Sequence, residues 1–252
     1  MSGFEVVPTQ HGPMIVPVAD TYIGRALREN GVYSPEEFAA WRPYLRADSV
    51  ILDGGANCGG HTAAFARACP TGTVLAVEPQ RALASALAGS CALNGWAHVE
   101  VRNAALGHHP GTITVPLFHY TVAQNYGAWR IGTGEEVAAE RGVDVVPRVT
   151  IDALNLTRLD LLKLDVEYHE WNALQGGSAT IQRCRPVIVA EFNVTDDGRA
   201  MLDWLMAIGY HPWLQIAPYG VQWPDEQSIN VLALPTERHL PDPVGVGIEA
   251  MA

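Results

Sequence analysis

The chain has 252 residues, 48% hydrophobic and 17% charged, which is enough apolar material for one large α/β domain or two small ones. Its formal net charge of −11 speaks against nucleic acid as a partner, because Lys and Arg supply most of the affinity for a phosphate backbone. No apolar run approaches the roughly 20 residues of a membrane span, and Met1–Gly12 shows no basic region followed by an apolar run, so no membrane partner is expected and the cytoplasm is the default compartment.

Residues 4–18 read as a short hairpin, Phe4–Val7 and Met14–Val18, turned at Gln10-His11-Gly12-Pro13. Ser34-Pro35-Glu36-Glu37 reads as a helix start: Ser34 caps, Pro35 takes the first helical position, and Glu37 completes a capping box. This N-terminal hairpin and helical cap is assigned to residues 1–45.

From residue 49 strands and helices alternate. Val50–Leu52, Thr73–Val77, Val99–Arg102, Leu161–Leu164 and Val187–Ala190 are short apolar strands, and Thr62–Cys69 and Arg81–Leu93 are helices between them. That pattern predicts a mostly parallel sheet with helices on both faces. Thr112–Leu117 and Val143–Thr150 interrupt it as a hairpin or lid inserted at about 110–150, enclosing the polar stretch Phe118–Gly142. Thr195–Ile208 is a helix stopped by Gly209, and Tyr210–Ile216 with Ile229–Leu234 reads as an antiparallel edge hairpin. The main domain is placed at 46–238, with 239–252 as a tail. Cys58, Cys69, Cys91 and Cys184 form no Cys-x-x-Cys pair and read as reduced packing residues.

The strongest local signal is Asp53-Gly54-Gly55-Ala56-Asn57-Cys58-Gly59-Gly60, with Thr62 opening the following helix. A strand ends in a carboxylate, and small residues let a ligand approach the backbone. The dinucleotide fingerprint Gly-x-Gly-x-x-Gly is poorly met, and Asp53 is unsuited to a pyrophosphate. A cationic sulfonium without phosphate suits it better, which favours S-adenosyl-L-methionine. Glu78 ends the next strand, 78 − 53 = 25 residues on, where a carboxylate accepts ribose hydroxyls. An NAD(P)-dependent oxidoreductase of Rossmann type and an inert cofactor-binding module are the rival readings.

With these residues in place, the chain resembles the FkbM family of methyltransferases. Asp53–Gly59 is similar to that family's Asp-x-Gly-Ala-Asn-x-Gly, Glu78-Pro79 to its second motif, and Asn103-Ala104-Ala105-Leu106-Gly107 to the segment after its third strand. Lys163-Leu164-Asp165-Val166-Glu167 with Glu170 resembles its Lys-x-Asp-x-Glu-Gly-x-Glu, but Tyr168 stands where the family has glycine. The resemblance implies the class I methyltransferase (Rossmann-like) fold, with a seven-stranded sheet, and methyl transfer to a hydroxyl of a small molecule such as a sugar or natural product. It also places Pro79, Asn103 and Ala104 beside the cofactor.

For such chemistry an alcohol must be positioned and must lose a proton. Asp165, Glu167 and His169 are the catalytic candidates; Asp165 also stands to orient the methionine amine, and His169 is the simplest base. Tyr168, Glu191 and Asn193 are acceptor-side candidates, as are His119 and Tyr126 from the insert, while Tyr22 and Tyr33 are placed to cover the cofactor. Lys163, inside an apolar strand, is expected to pair with a carboxylate. Oxygen groups at Asp165, Glu191 and Asn193 would suit Mg²⁺, but no metal is assigned. Homo-oligomerisation is left open.

Overall fold

The computed structural model describes residues 3–215, 229–238, 240, 241, 243 and 248–250. Ile216 and most of the tail at 239–252 lie outside these residues. Among the described residues there are thirteen strands: β1 Phe4–Thr9, β2 Gly12–Pro17, β3 Val50–Gly54, β4 Thr73–Val77, β5 Val99–Arg102, β6 Ala105–Leu106, β7 Gly111–Pro116, β8 Val143–Val149, β9 Leu161–Leu164, β10 Val187–Phe192, β11 Tyr210–Gln215, β12 Ile229–Pro235 and β13 Ile248–Ala250. The α-helices are α1 Ile23–Asn30, α2 Pro35–Trp41, α3 Gly60–Ala68, α4 Arg81–Asn94, α5 Glu135–Arg141, α6 Glu170–Gln175, α7 Ser178–Cys184 and α8 Asp196–Ala207.

The central sheet runs β11-β12-β10-β9-β3-β4-β5, with β13 added beside β11 as a short eighth strand. Pairings from β5 through β10 are parallel, whereas β12 is antiparallel to both β10 and β11. The expected parallel sheet and its antiparallel edge hairpin are therefore present. Each central strand is buried on both faces. Leu52, Leu75, Leu162, Leu164 and Ile188 face α6–α8, while Ile51, Val74, Leu161 and Val189 pack against Trp41 and Phe65. The two-residue period of a strand sorts these side chains, so unbroken apolar runs suit strands covered twice.

After β5 the chain returns to the other side of β3 to form β9, so strand order reverses between β3 and β9. Ligands bind at such a switch point, beyond the carboxyl ends of the strands. The insert forms its own sheet, β7 antiparallel to β8 and β6 parallel to β8, and carries the helix α5 that its polar sequence did not announce.

The helix start at Pro35 is as read, but the capping box is absent. Ser34 has φ +39 and its side chain makes no cap hydrogen bond. Glu37 turns inward instead, accepting from Asn230 Nδ2 at 2.7 Å and lying 3.3 Å from His61 Nε2. A buried imidazole and amide compete successfully with a solvent-exposed cap.

Candidate active site

Glycine-loop geometry follows from backbone demand. Gly55 has φ +73, and a Cβ there would strike the carbonyl of Asp165. Its N–H and that of Ala56 both donate to the Val77 carbonyl, at 2.9 and 3.1 Å, which ties the loop to the end of β4. Asn57, also at positive φ, donates its N–H to Glu78 Oε2 at 2.8 Å. Gln80 N–H donates to Glu78 Oε1 at 2.7 Å. Burial raises the Glu78 carboxyl to about 7, even though these two donors pull it down. Asn103 fixes the same corner, its Nδ2 donating to the carbonyls of Glu78 and Pro79. Ala104 packs beneath it in the core.

Asp53 lies deeper than the loop. Its carboxylate is fully buried, accepts from Thr62 Oγ1 at 2.6 Å, and lies 3.2 Å from Lys163 Nζ. Lys163 also donates to the Gly55 carbonyl at 3.2 Å and reaches Asp165 at 3.7 Å. Burial alone would lower the lysine's pKa, but Asp53 and Asp165 outweigh it and hold Lys163 above its ordinary value. The expected pairing of Lys163 is present.

At the end of β9 the chain bends sharply. Glu167 and Tyr168 have φ +55 and +72, a conformation side chains rarely adopt. The bend sets Glu167 among carboxylates, and burial, followed by Glu191 and Asp165, raises it to about 8. Glu170, which accepts from the Val166 N–H at 2.8 Å, is also raised to about 8 by burial and then Glu191. The guanidinium of Arg130, from the insert, lies 3.5 Å from the centre of the Tyr168 ring. Asn193 is buried, with Nδ2 3.5 Å from Glu191 Oε2.

Other candidates sit elsewhere. His169 lines a pocket with His108, His109 and Arg148. Tyr126 is buried inside the insert against Phe118 and Tyr120, its hydroxyl held at the His119 and Val122 carbonyls, and the His119 side chain is exposed. Tyr33 packs over Gly60, near enough to Asp165 for that charge to reinforce the effect of burial in raising its hydroxyl pKa; Tyr22 meets it edge-on. Cys58, Cys69 and Cys91 are buried free thiols, and burial raises Cys58 far above the usual thiol range. Among the described residues no cluster of three His, Cys, Asp or Glu could hold a metal ion, and no helix is long and apolar enough to cross a membrane.

The family model for the methyltransferase FkbM domain matches residues 53–212, more than half of the chain. This chain belongs to the FkbM methyltransferase family. Its cofactor is accordingly S-adenosyl-L-methionine. Among solved structures, the FkbM methyltransferase of Methylobacillus flagellatus KT is 18% identical with a TM-score of 0.50, over 75% of this chain and 44% of that one. This chain thus spans under half of that protein's length, and the likeness is one of fold. An rRNA methylase from Streptococcus thermophilus is 11% identical, TM-score 0.49, over 81% and 98% of the two chains. M. jannaschii TYW2, solved in complex with AdoMet, is 10% identical, TM-score 0.48, over 100% and 88%. No curated protein matches the sequence.

The site of this FkbM methyltransferase fits a cationic cofactor by its own donor set. Glu78, Asp165, Glu167 and Glu191 lie at or just beyond the ends of β4, β9 and β10, while Asp53, expected at the cofactor, is taken up beneath them by Lys163 and Thr62. The Gly55 backbone supplies a wall that no side chain could share with the Asp165 carbonyl. Sequence reasoning did not single out Gln80, and took Tyr120 and Arg130 only as part of the mixed aromatic, amide and basic segment His119–Arg130 read as a lid. Gln80 donates to the Tyr126 carbonyl and accepts from the Tyr120 hydroxyl, so insert and cofactor corner are hydrogen-bonded together. Only the Glu78-Pro79-Gln80 adjacency hinted at this.

Proposed function

We propose that this methyltransferase transfers the methyl group to a hydroxyl of a small organic acceptor, with Glu167 as the base. The observation that carries this reading is the Glu167 carboxyl, raised to about 8 at a strained bend between Asp165 and Glu191. A carboxyl held that high is a far stronger base than an ordinary one once it ionises. The cofactor supplies a methyl group already activated on a sulfonium. A positive charge brought into this acidic cleft favours the ionised form of Glu167, which prepares it to accept the hydroxyl proton. Asp165 orients the cofactor's amino group, and Glu78 accepts the ribose hydroxyls through the lone pairs its two backbone donors leave. Glu191 and Asn193 line the acceptor side, Tyr168 narrows its mouth, and the insert serves as a lid.

The test is a mass-spectrometric screen of hydroxylated small molecules for methyl gain, followed by Glu167→Gln. The expected result is transfer to oxygen, with kcat reduced by roughly 10²–10⁴-fold in the variant and S-adenosylhomocysteine affinity kept. Transfer to nitrogen or sulfur, or unchanged kcat in the variant, would overturn the assignment.

A further inference from the structure

Beside the reacting cleft lies a pocket of opposite character. His108, His109, His169, Arg148 and Asn172 line it, Ile131 of the insert closes one side, and no carboxylate takes part. In a chain of net charge −11, a pocket walled by three imidazoles, a guanidinium and an amide stands apart. The rings of His108 and His109 stack at 3.9 Å with planes 22° apart, which brings two imidazoles together on one wall. Arg148 is fixed by its Nε, which donates to the His109 carbonyl at 2.9 Å, and it pairs with no carboxylate among the described residues. Its terminal nitrogens keep donor capacity.

The pocket's position ties it to the cleft. His169 follows Tyr168 and Ile131 follows Arg130 in the chain, and the Arg130 guanidinium stacks on the Tyr168 ring, so two of the pocket's residues adjoin the stacked pair at the bend that carries Glu167. We infer that this pocket anchors an anionic group (phosphate, sulfate or carboxylate) carried by the methyl acceptor. Imidazole and guanidinium N–H groups donate to such oxygens in charge-assisted bonds. The acidic cleft repels the same group, so an acceptor with an anion at one end and a hydroxyl at the other is oriented in a single sense. This inference rests on the small-molecule reading above and adds to it a class of acceptor.

The experiment uses the full chain with isotopically labelled histidine and inorganic phosphate as probe. Saturable shifts of the His108, His109 and His169 imidazoles are expected, with affinity roughly tenfold weaker in Arg148→Gln and in His108→Gln. S-adenosylhomocysteine affinity should stay within about twofold in both variants, which also shows that they fold. A phosphorylated sugar and its unphosphorylated parent are then compared as acceptors. The former should be preferred roughly tenfold in kcat/KM, and the preference should vanish in Arg148→Gln. Absence of saturable imidazole shifts overturns the subsite. Phosphate binding with no preference between the paired acceptors overturns its role in holding the acceptor and marks a site for free anion. Failure to bind S-adenosylhomocysteine at all would instead fall on the functional reading itself.

Discussion

Asp53 and Lys163 are direct register partners on the adjacent parallel strands β3 and β9, and their charged atoms meet 3.2 Å apart with both side chains buried. The pair sits at the switch point of the sheet, and through the Gly55 carbonyl it also holds the cofactor loop. Removing one charge leaves the other buried and unpaired. Lys163→Met should therefore lower unfolding free energy by about 3–5 kcal/mol, with a much smaller loss when combined with Asp53→Asn. Urea denaturation of both single variants and the double variant checks this; a double-variant loss equal to the sum of the two single losses would show that the pair is not coupled.

Gly55 is constrained twice, by φ +73 and by the Asp165 carbonyl that a Cβ would meet. Gly55→Ala should cost about 1–3 kcal/mol of stability. It should also abolish S-adenosylhomocysteine binding in calorimetry, because the loop cannot keep its shape. A variant that binds normally contradicts the geometry described.

Glu78 has a pKa of about 7 when folded, against an ordinary 4.5. The folded state therefore binds more protons than the unfolded one between these values, and stability falls as pH rises through that window. Below about 4.5 both states are protonated, so the folded state bears no penalty from this group. Glu167 and Glu170, each at about 8, extend the same slope upward. Glu78→Gln should flatten the decline between pH 4.5 and 7, while weakening S-adenosylhomocysteine binding roughly tenfold through loss of ribose contacts. Melting temperature followed across pH for both proteins decides it.

Tyr168 combines a backbone conformation suited to glycine with a ring that receives Arg130. Tyr168→Gly relieves the strain but loses a stacking contact of about 0.5–2 kcal/mol, so overall stability should change by under about 1 kcal/mol. The insert should respond much more than the domain. Hydrogen exchange across residues 118–142 is expected to quicken in Tyr168→Gly and equally in Arg130→Ala, with no further gain in the double variant. Unchanged exchange would mean that the stack does not hold the insert.

Much of this protein is local in origin. Apolar runs bounded by glycine, proline and helix caps are enough to set β3, β4, β9 and β10, and the small-residue loop after Asp53 declares itself because only glycine tolerates the backbone it must adopt. Glu78 is legible for the same reason, as a carboxylate at a strand end. Partnerships between distant segments carry no local signature. Glu37 reads as a cap until His61 and Asn230 arrive to claim it. His169 reads as a base until folding sets it beside His108 and His109, and Arg130 stays an ordinary polar residue until the insert folds back onto Tyr168. Short-range sterics write the strand, the turn and the cofactor loop into the sequence. Burial, charge and the identity of each neighbour depend on which surfaces meet, and chain closure over tens of residues decides that.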